Sequence, residues 1–105
     1  MRHIKDRSRK GDLAEYYAVT WLWDNGYEVF KNTGCSGPID LISIKDGEIT
    51  LVDVKSMSIN YNLTTENNTV YRNKRVRTKA QEKLGVRLLS FNPKTRKLKW
   101  INHEK

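Results

Sequence analysis

The chain has 105 residues, 37% apolar and 30% charged, which suits one folded domain with a modest core and argues against wholesale disorder. No apolar run approaches the roughly 18 residues of a membrane span, and the amino end, Met1-Arg2-His3-Ile4-Lys5, lacks the apolar stretch of a secretory signal. The single cysteine, Cys35, excludes an internal disulfide and a cysteine-rich zinc site, and fits a reducing, intracellular setting.

The net charge of +8 is unevenly placed. Residues 1–10 carry five basic groups and one acid, residues 11–71 three and nine, and residues 72–105 twelve and two. Basic ends around an acidic middle are expected where a few carboxylates act on a polyanion that the rest of the surface attracts. A basic surface that only keeps the chain soluble is the plainer alternative.

In chain order, residues 1–9 read as a basic arm. A helix is expected from Lys10 to Asn25, ended by Gly26, with Leu13, Ala14, Tyr17, Ala18, Trp21 and Leu22 on its apolar arc. Residues 27–32 read as a short strand and 33–37 as a turn. Two strands then flank Asp46-Gly47, the pair favoured in a two-residue type I′ turn. If Lys45 faces Glu48, then Ile42 faces Leu51 and Asp40 faces Asp53. Two carboxylates would then lie side by side, a destabilising arrangement that needs a reason. Residues 57–73, rich in Asn and Thr, read as a long loop of the kind retained for a use. A basic helix is expected over 74–84, with Val76, Ala80 and Leu84 on one face and Gly85 as its cap. Strands at 86–91 and 96–101 follow, the last an edge guarded by lysines. The whole is one domain of helix, three strands, loop, helix and two strands.

Asp53 and Lys55, two apart on a strand, share a face. With Asp40 opposite, the face offers two carboxylates for a divalent cation and an ammonium beside them, an oxygen donor set that suits Mg2+ or Mn2+. A surface ion pair made by Lys55 is the competing interpretation. Glu15, at the edge of the inward arc of the first helix, is either paired with a basic group, aimed into a cleft as a third carboxylate, or set near the helix start to complement its dipole. Gln81 offers an amide to a phosphate or a water, or is an ordinary solvated helix residue. Arg72, Lys74, Arg75, Arg77 and Lys79 form an acid-free stripe suited to phosphate contacts. Tyr16, Tyr17, Trp21 and Trp23 read as core or interface residues, whereas Tyr61 and Tyr71 suit base stacking. His3 and His103 fit no metal or triad spacing, Gly34 and Gly37 form no phosphate loop, and Cys35 has no nearby histidine.

The constellation Glu15 … Pro38-Ile39-Asp40 … Asp53-Val54-Lys55 resembles the PD-(D/E)xK nuclease superfamily. The stretches 11–30, 37–56 and 77–91 together resemble its Holliday-junction-resolvase-like and phage or intron-encoded branches. The resemblance implies a restriction-endonuclease-like α/β core with a mixed sheet. It implies Asp40 and Asp53 as metal carboxylates, the Val54 carbonyl as a further ligand, Lys55 as the motif lysine, Glu15 as the first-helix acid and Gln81 as the helix glutamine. Ile39 separates Pro38 from Asp40, where the family name has them adjacent, and the second acid is Asp rather than the commoner Glu. The implied activity is Mg2+-dependent hydrolysis of DNA to 5′-phosphate and 3′-hydroxyl ends, with Holliday junctions and branched DNA among the substrates. A homodimer is implied, with no membrane and no small-molecule substrate, in an intracellular setting that includes a phage protein acting in its host. RNA stays open as a substrate. The rival from another class is a non-catalytic nucleic-acid-binding module, which would need neither the acids nor Lys55.

Overall fold

The first helix owes its position to small residues. In the computed structural model, which describes residues 7–34, 36–65, 68–72 and 77–102, α1 spans Arg7–Asp24. Ala14, Ala18 and Leu22 are buried on its inner face, and the two alanines let the helix lie close on the sheet. The helix therefore starts three residues earlier than expected and takes in Arg7–Arg9 of the supposed arm; residues 1–6 lie outside the described residues. It ends where the chain turns through Gly26, at φ 87°.

Seven strands follow: β1 (Glu28–Lys31), β2 (Leu41–Lys45), β3 (Glu48–Ser56), β4 (Ser58–Thr65), β5 (Asn68–Arg72), β6 (Arg87–Phe91) and β7 (Leu98–Trp100). A second helix, α2 (Lys79–Leu84), precedes β6. The main sheet has the order β1-β2-β3-β6-β7, antiparallel except for the parallel pair β3–β6, and β4–β5 form a separate two-stranded sheet. This is the mixed-sheet α/β architecture expected.

The β2–β3 hairpin has the register that Asp46-Gly47 dictates. Both turn residues have positive φ, 53° and 80°, and Lys45 faces Glu48, Ile44 faces Ile49 and Ile42 faces Leu51. The regular ladder stops at Leu41–Val52, one pair short of Asp40 and Asp53.

Two expectations are corrected. The segment expected as a loop, residues 57–73, contains β4 and β5, with Ile59 paired to Tyr71. Ile59, Tyr61 and Leu63 recur at every second position, a strand period that the surrounding Asn and Thr residues obscure. The helix expected over 74–84 starts only at Lys79, because Thr78 and Gln81 make a reciprocal capping box; residues 73–76 lie outside the described residues. That cap also rotates the helix. Ala80 is exposed and Leu84 is half exposed, while Gln81 is the residue turned inward.

The core joins Ala18 and Leu22 of α1 to Leu41, Val52 and Leu89 of the three central strands. Trp21 meets Trp100 edge-on with ring centroids 6.1 Å apart, and Arg87 lies over the Trp100 ring at 4.4 Å. Tyr17 is similarly placed between Phe91, at 5.1 Å, and the guanidinium of Arg96. No helix among the described residues is long and apolar enough to cross a membrane. Because Leu22 is fully buried at the centre of this cluster, Leu22→Ala is expected to cost about 3 kcal/mol, read as a lowered urea midpoint with an unchanged slope.

Candidate active site

Asp40 sits where the β2–β3 ladder ends. Its backbone N–H donates to the Val52 carbonyl at 2.9 Å, and its Oδ2 accepts from the Val54 N–H at 2.8 Å. The side chain thus takes over an acceptor role that a regular ladder would give to a backbone carbonyl. The loop before it is pinned by Asn32, whose Nδ2 donates to the Ser36 and Ile39 carbonyls at 2.7 and 2.9 Å. The Asn32 N–H donates to the Asp40 carbonyl at 3.0 Å, fixing the residue from the β1 side.

Asp53 lies within β3 and is buried, 5% exposed. Its Oδ2 accepts from Gln81 Nε2 at 2.9 Å and pairs with Lys55 Nζ at 3.0 Å. Gln81 Nε2 also donates to the Pro38 carbonyl at 2.9 Å, and its Oε1 accepts from the Thr78 N–H at 3.0 Å. A buried amide must find partners for both ends, and this one does so by linking α2, the Pro38 turn and Asp53. Gln81 is therefore not a solvated helix residue; its amide is turned inward onto the Asp53 carboxyl and the Pro38 carbonyl.

The Asp53 carboxyl lies near enough to Asp40 to act on it, although the two residues are not ladder partners. Asp40 is pushed up to about 7, first by burial and then by the hydrogen bond and charge of Asp53, with a smaller contribution from Glu15. The Val54 N–H acts in the opposite direction without prevailing.

Glu15 lies in the middle of α1, not in its first turn, so the dipole explanation fails. Its Oε1 pairs with Lys31 Nζ at 2.7 Å. Glu15, Lys31, Asp40 and Val54 line one cavity of about 200 Å³, so the acid is both paired and in a cleft. Gly11, Asp12, Lys31 and Asn32 also line this cavity and were not singled out by the sequence; the place of Lys31 and Asn32 beside Asp40 comes from the β1–β2 register, Lys31 opposite Leu41.

Among the described residues no three His, Cys, Asp or Glu side chains are grouped to hold a metal ion. Asp40 and Asp53 are together, and Glu15 is drawn to Lys31. The donor set still fits a hard divalent cation: two carboxyls forced against each other in a half-buried place, where one must keep a proton unless a cation takes its position. Of the basic stripe, Arg77 is half-buried with its Nη1 donating to the Val86 carbonyl at 3.4 Å, and Lys79 is exposed. Arg72 ends β5, its side chain outside the described atoms, as are those of Tyr61 and Tyr71; Lys74 and Arg75 lie outside the described residues.

No protein-family model and no curated protein matches this chain. Among solved structures it is similar to a bacterial homing endonuclease, I-Ssp6803I, with a TM-score of 0.69 over 91% of this chain and 68% of that one. The identity is 19%. The likeness is one of fold.

The raised Asp40 gives a pH dependence of definite sign. Its folded value near 7 lies above the ordinary 3.8, so between these the folded state holds a proton that the unfolded state has lost. Stability should therefore fall as pH rises from about 4 to about 7. In the presence of a chelator, Asp40→Asn should flatten that fall in urea midpoints measured across the range. An equal slope in both proteins would assign the dependence to other groups.

Proposed function

We propose that the chain is a metal-dependent DNA endonuclease, and that the observation which best supports this is the contact of Asp40 with Asp53 beside Lys55. Placing two carboxyls together at the end of a hairpin is unfavourable for folding, and a divalent cation gives the placement a purpose. The fold shared with an endonuclease and the basic ends of the chain agree with a polyanionic substrate.

Asp40 and Asp53 would hold the ion, with the Val54 carbonyl and Glu15 as further oxygen donors. Once bound, such an ion polarises the scissile phosphate and lowers the pKa of a coordinated water. Gln81 fixes the Asp53 carboxylate by its 2.9 Å bond and thereby sets the direction in which that acid faces. Lys55, within 3.0 Å of the same oxygen, brings an ammonium to the place where charge builds on the phosphate. Water attacks phosphorus in line, opposite the departing 3′ oxygen, leaving 5′-phosphate and 3′-hydroxyl ends. Arg77, Lys79 and the stripe before them hold the backbone without reading sequence.

The choice among substrates falls to the β4–β5 hairpin and to assembly. A homodimer would set two sites on two strands, with the outer surface of α1 or the β7 edge as its interface. Branched DNA such as a four-way junction is the substrate class such an arrangement favours. The rival reading, a non-catalytic nucleic-acid-binding module, accounts for the basic ends but gives the buried Asp53–Gln81–Lys55 contacts no task.

The test is a panel of labelled four-way junction, flap, linear duplex, single strand and RNA, each incubated with Mg2+, Mn2+ or EDTA. Cleavage of a DNA substrate is expected only with metal. It should be lost in Asp53→Asn and lowered roughly 10- to 100-fold in Gln81→Ala, which leaves the acid in place but unsupported. Salt-sensitive binding of every form with no cutting would favour the binding module.

A further inference from the structure

We propose that the Lys31 ammonium is a built-in counter-cation of this site, which competes with a divalent ion for the Glu15 carboxylate. The inference rests on the nuclease reading and deepens it by assigning a role to a residue outside the motif. Glu15, paired with Lys31 at 2.7 Å, and Asp53, paired with Lys55 at 3.0 Å, are the two outer acids that act on Asp40, and Asp12 also lines the cavity of Glu15, Lys31 and Asp40. Each outer acid has its own ammonium, while among the described residues no lysine or arginine pairs with Asp40, the acid that both neighbours repel.

The two lysines are not equivalent. Lys55 comes from the same strand as the acid it serves, and its side chain is 22% exposed. Lys31 comes from the edge strand β1, its side chain is 49% exposed, and Glu15, at 21%, is the more enclosed partner. Glu15 lines the cavity it shares with Asp40 and Val54, yet its carboxylate is engaged by Lys31 and joins no three-acid cluster. A metal ion drawing on Glu15 would meet an ammonium on the same carboxylate, and two cations at that separation repel strongly in a half-buried place. Lys31 must then give up Glu15. A lysine is suited to this, being a point charge on a flexible stem with three donors and no fixed fork. Its exposed half allows it to move toward the cavity mouth, where the released ammonium would meet the phosphate backbone of a bound strand. Lys31 thus holds the site together without metal and changes partner when metal arrives.

The test uses Mn2+ alone as probe, without nucleic acid, and reads affinity by the electron paramagnetic resonance signal of the free ion. Lys31→Met should bind Mn2+ about fivefold more tightly than the unsubstituted protein, the gain that matches a partly exposed ion pair. Lys31→Arg, which keeps the positive charge opposite Glu15, should show no such gain. In a Glu15→Gln background, Lys31→Met should bring no gain, because the contested carboxylate is gone. Unchanged or weaker binding by Lys31→Met, or a gain that persists without Glu15, would overturn the competition while leaving the nuclease reading intact. Absence of Mn2+ binding in all five proteins, each shown folded by its thermal transition, would overturn both.

Discussion

Two carboxyl groups sharing a half-buried place cannot both ionise at ordinary cost, and much of this small structure is arranged around that constraint. The penalty has two parts, loss of hydration and repulsion between like charges, and both rise as the surroundings become less polar. Asp40 carries the burden first through its burial, while the Asp53 carboxyl beside it is already engaged by the Gln81 amide and the Lys55 ammonium. The Val54 N–H relieves Asp40 in part. The proposed cation would act on this same cost, since a positive charge between the two carboxyls would offset both their repulsion and their lost hydration.

The supports for the pair come from distant parts of the chain. Asn32, before the hairpin, closes the loop that delivers Pro38 and Asp40. Gln81, 28 residues after Asp53, reaches it because β6 pairs in parallel with β3 and α2 must precede β6. The Thr78 cap then decides which way the short helix faces. Thr78, Gln81, Pro38 and Asp53 form one connected hydrogen-bonded set, and a connected buried polar set is rigid only when every member is satisfied.

The parts of this arrangement that were legible in the sequence are those set by local chemistry. Asp46-Gly47 allows one hairpin register, and the alternation of residues 41–52 leaves one face for the core, so the approach of Asp40 to Asp53 followed from a turn type. The arc of Ala14, Ala18 and Leu22 located the inner face of α1. What escaped depended on contacts between segments or on competing local signals. Gln81 looked like one polar residue among lysines, and only its capping bond with Thr78 turns it inward; Ala80 and Leu84 were the more apolar choices and both lost. The pattern Thr78-x-x-Gln81 was present and carried that information. The role of Lys31 depended on the meeting of β1 with α1, which no local spacing encodes. The strands at 58–65 and 68–72 were hidden because Asn and Thr outnumber the apolar residues that mark the period.

The β4–β5 sheet leaves the main one just after Met57, whose N–H donates to the Phe91 carbonyl at 2.8 Å, and its ladder is formed within itself. Among the described residues, the hydrogen bonds and ion pair that fix Asp53 are made by residues outside that excursion. Lengthening it adds a loop-closure cost that grows slowly with length. The Asp53 contacts and the β4–β5 ladder thus belong to separate hydrogen-bonded sets. That hairpin can change in length or sequence without breaking any described hydrogen bond of the Asp53 set.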